Sequence, residues 1–169
     1  QTNALSNSAN VADATTVSTT LSAANYIPTG STNLSNYSLP LAVSGAGSIT
    51  RASLTMTANA AAKFVGQSDP SFTYTLSGLK GADTSAVLSG VSVTREAGEV
   101  AGATYTITPS ATAANYIITP VTATFNIMAQ GQLLIKVANS STAYGTLTSS
   151  DMAASASVSA SYCSIGADC

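Results

Sequence analysis

From Leu54 to Ile127 the chain repeats one pattern. Apolar side chains alternate with Thr, Ala or Asn in short runs: Leu54-Thr-Met-Thr-Ala58, Phe72-Thr-Tyr-Thr-Leu76, Ala103-Thr-Tyr-Thr-Ile-Thr108 and Thr122-Ala-Thr-Phe-Asn-Ile127. A period of two sends successive side chains to opposite faces of a strand and leaves a helix without a continuous apolar stripe. Gly66, Asp69-Pro70, Gly78, Gly81 and Gly102 punctuate the runs and set turns between them. The pattern predicts a mostly β chain of short strands that bury one face each.

The text flanking this stretch reads like parts of the same unit. Asn36-Tyr37 returns as Asn115-Tyr116, 79 positions on, and Val65-Gly66 returns as Tyr144-Gly145 at the same offset. Ala58-Asn59 returns as Ala138-Asn139, 80 positions on. Three matches in one phase predict a tandem repeat of roughly 80 residues. The expected division is the end of a preceding repeat over 1–52, a complete repeat over 53–128, a truncated following repeat over 129–162, and a cysteine ring over 163–169. The sequence begins at Gln1 with no Met, basic region or apolar signal core, so it is expected to start inside something longer or to be mature and processed, and a start part-way through a repeat favours a fragment.

Only 7% of residues are charged and 45% are apolar; Ser and Thr, 50 of 169, fill the gap. That balance fits an extracellular all-β protein better than a disordered chain, which combines low hydrophobicity with high charge. The five basic residues, Arg51, Lys63, Lys80, Arg95 and Lys136, are scattered. They form no cluster that could displace counterions from phosphates, so no nucleic-acid partner is expected.

Strands are expected over Thr15–Leu21, Tyr37–Val43 (with Pro40 demoting it towards an edge), Leu54–Ala58, Phe72–Leu76, Val91–Thr94, Ala103–Thr108, and from Tyr116 to Ile127 with a bend at Pro120. Leu133–Val137 opens the next unit, and Met152–Tyr162 alternates weakly. Turns are expected at Ile27–Gly30 and Gly45–Gly47. One short helix is expected over Thr84–Leu88, capped by Asp83 and ended by Gly90. The fold class is therefore tandem β-sandwich or β-grasp-like repeats with one short helix.

The chain has no histidine, which removes the usual general base and most catalytic zinc sites. The carboxylates are scattered except for Glu96 and Glu99, which sit in the Gly-containing stretch Arg95-Glu-Ala-Gly-Glu and read as a solvated loop. No enzyme and no cofactor is expected. Two cysteines, Cys163 and Cys169, have five residues between them, with Gly166 able to turn the chain. In an oxidising compartment they would close a small ring that constrains the unfolded chain by about 2 kcal/mol. The alternatives are two free or incidental thiols, or a metal pair, which alone cannot fill a tetrahedral site. Asn33, Asn36 and Asn139 each open an Asn-x-Ser triplet, a glycosylation pattern that a Ser-rich chain also produces by chance.

The complete repeat resembles the MBG domain of large bacterial surface proteins. The resemblance is carried by Leu54-Thr-Met-Thr-Ala-Asn59, Val65-Gly66, Asp69-Pro70, Phe72-Thr-Tyr-Thr-Leu-Ser-Gly78, Gly81-Ala-Asp83-Thr and Leu88-Ser-Gly90, and continues through Gly98, Gly102, Tyr105-Thr-Ile107, Asn115-Tyr116 and Phe125-Asn-Ile127. Phe64-Val65-Gly66 departs from the family's usual Tyr-Gly, which Tyr144-Gly145 keeps. Such repeats occur in filamentous-haemagglutinin-like exoproteins exported by two-partner secretion, some of which end in a paired-cysteine segment. The resemblance implies a C-terminal stalk and anchor of a secreted adhesin at the Gram-negative cell surface. Its partner would be the β-barrel transporter of the outer membrane. Cys163 and Cys169 would form the ring that jams there, and Tyr162, Ile165 and Asp168 would flank it. A host receptor, polysaccharide or sister adhesin would be bound by upstream regions. The alternative is a carbohydrate- or matrix-binding β module presenting Tyr74, Tyr105 and Tyr116.

Overall fold

A computed structural model describes residues 4–137 and 158–164. The chain is mostly β, and among the described residues no helix reaches seven residues. It divides into two compact units, one of residues 1–56, 76–91 and 110–119, the other of residues 57–75, 92–109 and 120–169.

In the first unit, β1 (Leu5–Ser6), β2 (Thr16–Thr20) and β3 (Ala42–Ala46) form an antiparallel sheet in that order. Asn7 fixes the turn into β2. Its Oδ1 accepts from the N–H groups of Thr15 and Thr16, both at 3.0 Å, and its Nδ2 donates to the Asp13 carbonyl at 2.8 Å. The expected strand from Tyr37 does not form. A 3-10 turn occupies Leu34–Asn36, and β3 starts only at Ala42, beyond the missing N–H of Pro40. The expected turn at Gly45–Gly47 is strand instead: Gly45 pairs with Val17, and the Gly47 N–H extends the ladder to the Thr15 carbonyl at 3.0 Å. Glycine permits a turn there but does not impose one.

The alternating runs behave as their pattern predicts. In β4 (Ala52–Ala58), Leu54, Met56 and Ala58 are buried and the residues between them are not. β4 lies between β6 (Tyr74–Ser77) and β9 (Tyr116–Val121). A second sheet runs β5 (Ala61–Phe64), β10 (Ala123–Met128), β8 (Thr104–Thr112), β7 (Ser89–Arg95). β10 pairs antiparallel with β8 and parallel with β5, Phe125 facing Ala61 and Met128 facing Phe64. The run from Tyr116 to Ile127 is thus two strands in two different sheets, parted at Thr122. In the second unit Ala58, Ile107, Phe125 and Ile127 form the core, with Phe72 meeting Phe125 edge-on at 5.5 Å between ring centroids. β8 continues past Pro109, which is buried; its pairing with β10 ends at Ile107, so the absent N–H breaks no bond there.

The expected helix over Thr84–Leu88 is a single 3-10 turn, Ser85–Val87, and Thr84 rather than Asp83 caps it, its side chain accepting from the Ala86 N–H at 3.3 Å. Asp83 is engaged elsewhere: it accepts from the Tyr116 hydroxyl at 2.5 Å. A further 3-10 turn at Ala23–Asn25 was not foreseen. Last, β11 (Leu133–Val137) pairs antiparallel with β12 (Val158–Tyr162).

Candidate functional site: a charge network on the sheet and the Cys163 strand end

The expected solvated loop at Arg95–Glu99 is instead part of a four-residue ion-pair network. Lys63, on β5, is almost fully buried at 5% exposure, the one buried charged residue among those described. Its Nζ donates to Asp69 Oδ1 at 2.8 Å and to Glu99 Oε1 at 2.7 Å. Arg95 closes the network from β7. Its Nε and Nη2 grip Asp69 in a fork at 2.7 and 3.1 Å, and Nη2 also reaches Glu99 at 2.5 Å. The remaining Nη1 hydrogens go to the carbonyls of Glu96 and Gly98, both at 2.8 Å. All five guanidinium donors are therefore used.

β5 and β7 are opposite edges of one four-stranded sheet. The network crosses the strands between them. The Arg95 guanidinium lies 4.8 Å from the Phe125 ring on β10 and 5.6 Å from the Tyr105 ring on β8. Glu96 takes no part in the ion pairs; its backbone and carboxylate bond the Thr106 carbonyl and N–H at 3.0 and 2.9 Å, closing the end of the β7–β8 hairpin.

Each charge holds the others ionised. The Arg95 fork, with Lys63 adding to it, lowers the Asp69 carboxyl from its ordinary 3.8 to about 2. Glu99 is lowered chiefly by its bond to Lys63. Burial alone would pull the Lys63 amine down, but the bonds from Asp69 and Glu99 outweigh it and the net shift is upward. Arg95 is raised, first by Asp69. A buried amine touching a carboxyl is the contact that amide condensation needs, but condensation requires a neutral amine and a protonated acid. Here both shifts run the other way, so the arrangement favours a persistent ion pair.

The network is hard to read from the sequence because its members come from two stretches, 63–69 and 95–99, that only the folded sheet brings together. The one available hint was Lys63 itself, a rare charge inside the apolar run Ala60-Ala-Ala-Lys-Phe-Val65.

At the other expected site, Cys163 follows β12. It is buried, 1% exposed, with no free thiol among the described cysteines, and its carbonyl accepts from the Gly131 N–H at 2.6 Å. Tyr162 is 63% exposed, paired with Leu133 across the hairpin. It lines a cleft of about 270 Å³ with Lys63, Phe64, Gln67 and Leu134. Ile165, Gly166, Asp168, Cys169 and Asn139 lie outside the described residues. Asn33 and Asn36 are both exposed. Asn33 uses its Oδ1 locally, accepting from Ser35 N–H at 3.1 Å and Ser35 Oγ at 2.7 Å.

The tyrosines of the alternative reading are not exposed. Tyr116 is buried, with its hydroxyl donating to Asp83 and accepting from the Lys80 N–H at 3.0 Å. Tyr105 packs against the core and its hydroxyl accepts from the Val100 N–H at 3.1 Å. Tyr74 is half-buried.

Residues 54–126 match the MBG domain family of YGX type, so this stretch of the chain is an MBG domain. No curated protein and no solved structure matches the chain. Within the matched stretch Gly66 has φ of +87° and turns the chain out of β5.

Proposed function

We propose that this chain is the stalk and anchoring segment of a secreted bacterial adhesin, retained at the Gram-negative cell surface in an outer-membrane β-barrel transporter by a disulfide ring of Cys163 and Cys169. One observation carries the reading. An MBG domain over 54–126 stands in the chain between further β-structure, β1–β3 before it and β11–β12 after it. Modules strung along a chain give reach without a ligand site of their own. The buried Tyr116 and the half-buried Tyr105 favour this over a binding module, because their rings serve packing and loop anchoring. Ligand recognition, whether of a host receptor, a polysaccharide or a sister adhesin, falls in this reading to other regions of the parent protein.

The buried Cys163, with no free thiol, supports the ring. Cys169 is the other cysteine of the chain, and five residues separate the two. A closed loop beside the exposed Tyr162 is wider than an extended strand and would pass a narrow pore slowly. The test is cell retention of the exoprotein expressed with its transporter, comparing wild type with Cys163→Ser and Cys169→Ser. Peptide mass before and after reduction reports the bridge. Release of both variants into the medium, with the bridge present in wild type, is the expected result. Unchanged retention, or two free thiols in the wild type, overturns the anchor.

A further inference from the structure

A stalk has to carry tension, and the strand order bears on how this one would do so. Among the strand pairs that tension must part, β5 and β10 lie near the two ends of the MBG domain and run parallel: Phe125 faces Ala61, Asn126 Ala62, Ile127 Lys63 and Met128 Phe64. From the N-terminal side tension first loads β4, between β6 and β9, and past β4 it reaches β5 at Ala61, its first residue; from the other side it reaches β10 at Met128, its last. Two parallel strands pulled at opposite ends are driven past each other along their length. Every ladder bond between them is then loaded together. An antiparallel hairpin pulled from its open end has its bonds loaded one after another.

The neighbours of the pair reinforce it. The Val65 N–H bonds the Met128 carbonyl at 2.9 Å, one step beyond the paired residues. Ile127 is held on its other side by Gly102 N–H to its carbonyl at 2.7 Å and by its own N–H to the Ala103 carbonyl at 3.1 Å. Lys63 lies in the middle of β5, and its bonds to Asp69 and Glu99 would have to break for β5 to slide. The start of β4 is also bonded beside the start of β9, through Ala52 N–H to the Asn115 carbonyl at 3.0 Å.

We infer that the parallel β5–β10 pair, pinned through Lys63, is a shear clamp that lets the MBG domain bear tension along the chain without unfolding. The inference rests on the stalk reading for its biological use and on the strand order for its mechanics.

Single-molecule pulling on the full 169-residue chain tests it. Opening of the domain from the chain ends is recognised by its length: 73 residues, 54–126, release about 250 Å of extended chain. Two attachment geometries are compared. In one, force enters at the chain ends. In the other it enters at cysteines introduced at Ser89 and Thr112, the open end of the β7–β8 hairpin, where the Thr112 Oγ1 bonds the Ser89 carbonyl at 3.2 Å. The clamp requires a rupture force several-fold higher from the ends, in one abrupt step. Equal forces in the two geometries, or a gradual opening from the ends, overturn it. Val65→Pro removes the N–H that reaches Met128, while Val65→Ala shortens the side chain as a control that keeps it. End-pulled rupture is expected to fall with Val65→Pro and to hold with Val65→Ala; an equal fall in both overturns the role of that bond. The anchor experiment above can fail without touching this result, since it reads retention and not force.

Discussion

At the scale of single residues, Lys63 sets the terms. A buried ammonium is costly unless its partners hold it, and removing one partner leaves charge uncompensated, whereas replacing the charge by an apolar side chain of similar length often costs little. Asp69 serves both Lys63 and Arg95, so Asp69→Ala leaves two cations around Glu99 alone. It is expected to lower unfolding free energy by about 1–3 kcal/mol, less than for a fully buried pair because Asp69 is 35% exposed. Lys63→Met leaves both carboxylates on Arg95 and keeps the packing of the stem; a change within about 1 kcal/mol is expected. Urea titration of the two variants checks the order, and a larger loss from Lys63→Met would contradict it. Gly78 is a second fixed point. It has φ of +109°, and a Cβ there would stand 2.7 Å from the Ser53 carbonyl oxygen, a backbone atom with little freedom to move. Gly66 has φ of +87° with open space around the same position. Gly78→Ala is expected to cost about 1–3 kcal/mol and clearly more than Gly66→Ala, which carries the backbone strain without the clash; equal costs in thermal melts would show that the clash is relieved.

At the scale of elements, the segment from Lys80 to Leu88 depends on a tyrosine from β9. The Tyr116 hydroxyl accepts from Lys80 N–H and donates to Asp83, whose bond also raises the hydroxyl's pKa. Tyr116→Phe keeps the ring in the core and removes both bonds. The expected loss is about 1–2 kcal/mol. Faster amide exchange should be confined to residues 80–88, with β4 and β9 protected as in wild type; exchange that rises evenly across the domain would mean the ring, and not the hydroxyl, had been disturbed. This anchoring explains why the sequence placed the helical turn but misassigned its cap: Asp83 is a good cap by type, yet a tertiary partner claims it and Thr84 serves instead. The same division runs through the other strands. Leu54, Met56 and Ala58 announced β4 because one face of it is buried, and the period of two survives wherever that holds. Ala61–Phe64 gave no strand signal, since its Ala-Ala-Lys-Phe has no β-branched residue and no alternation; a distant partner, β10, makes it a strand. The ion-pair site was illegible for the same reason, as Lys63, Asp69, Arg95 and Glu99 meet only once β5 and β7 have become edges of one sheet.

At the scale of the whole molecule, charge is so sparse that its pH response has few sources. The chain has seven carboxylates and no histidine. Asp69 and Glu99 have folded-state pKa values below their ordinary ones, Asp69 reaching about 2 against 3.8. Between those values the unfolded chain binds a proton at Asp69 that the folded chain does not, so stability must rise with pH across that window. The contribution is fully present above the unfolded value, near pH 4, and is lost as pH falls towards about 2. Glu99 adds to the loss in the same direction. Urea midpoints measured across this acid window should therefore fall with pH, and Asp69→Asn should flatten the fall, because an amide neither titrates nor attracts both cations. The variant starts less stable at neutral pH and its curve converges on wild type in acid. Parallel curves would place the acid sensitivity elsewhere. High salt offers an independent check: Glu99 is 53% exposed and its share of the network is open to screening, while Lys63 and the Arg95 fork on Asp69 are largely shielded. Salt at neutral pH should thus remove only part of the stability that acid removes, and a wild-type loss in salt equal to that in acid would mean the network behaves as a surface cluster and the buried lysine contributes no more than an exposed one.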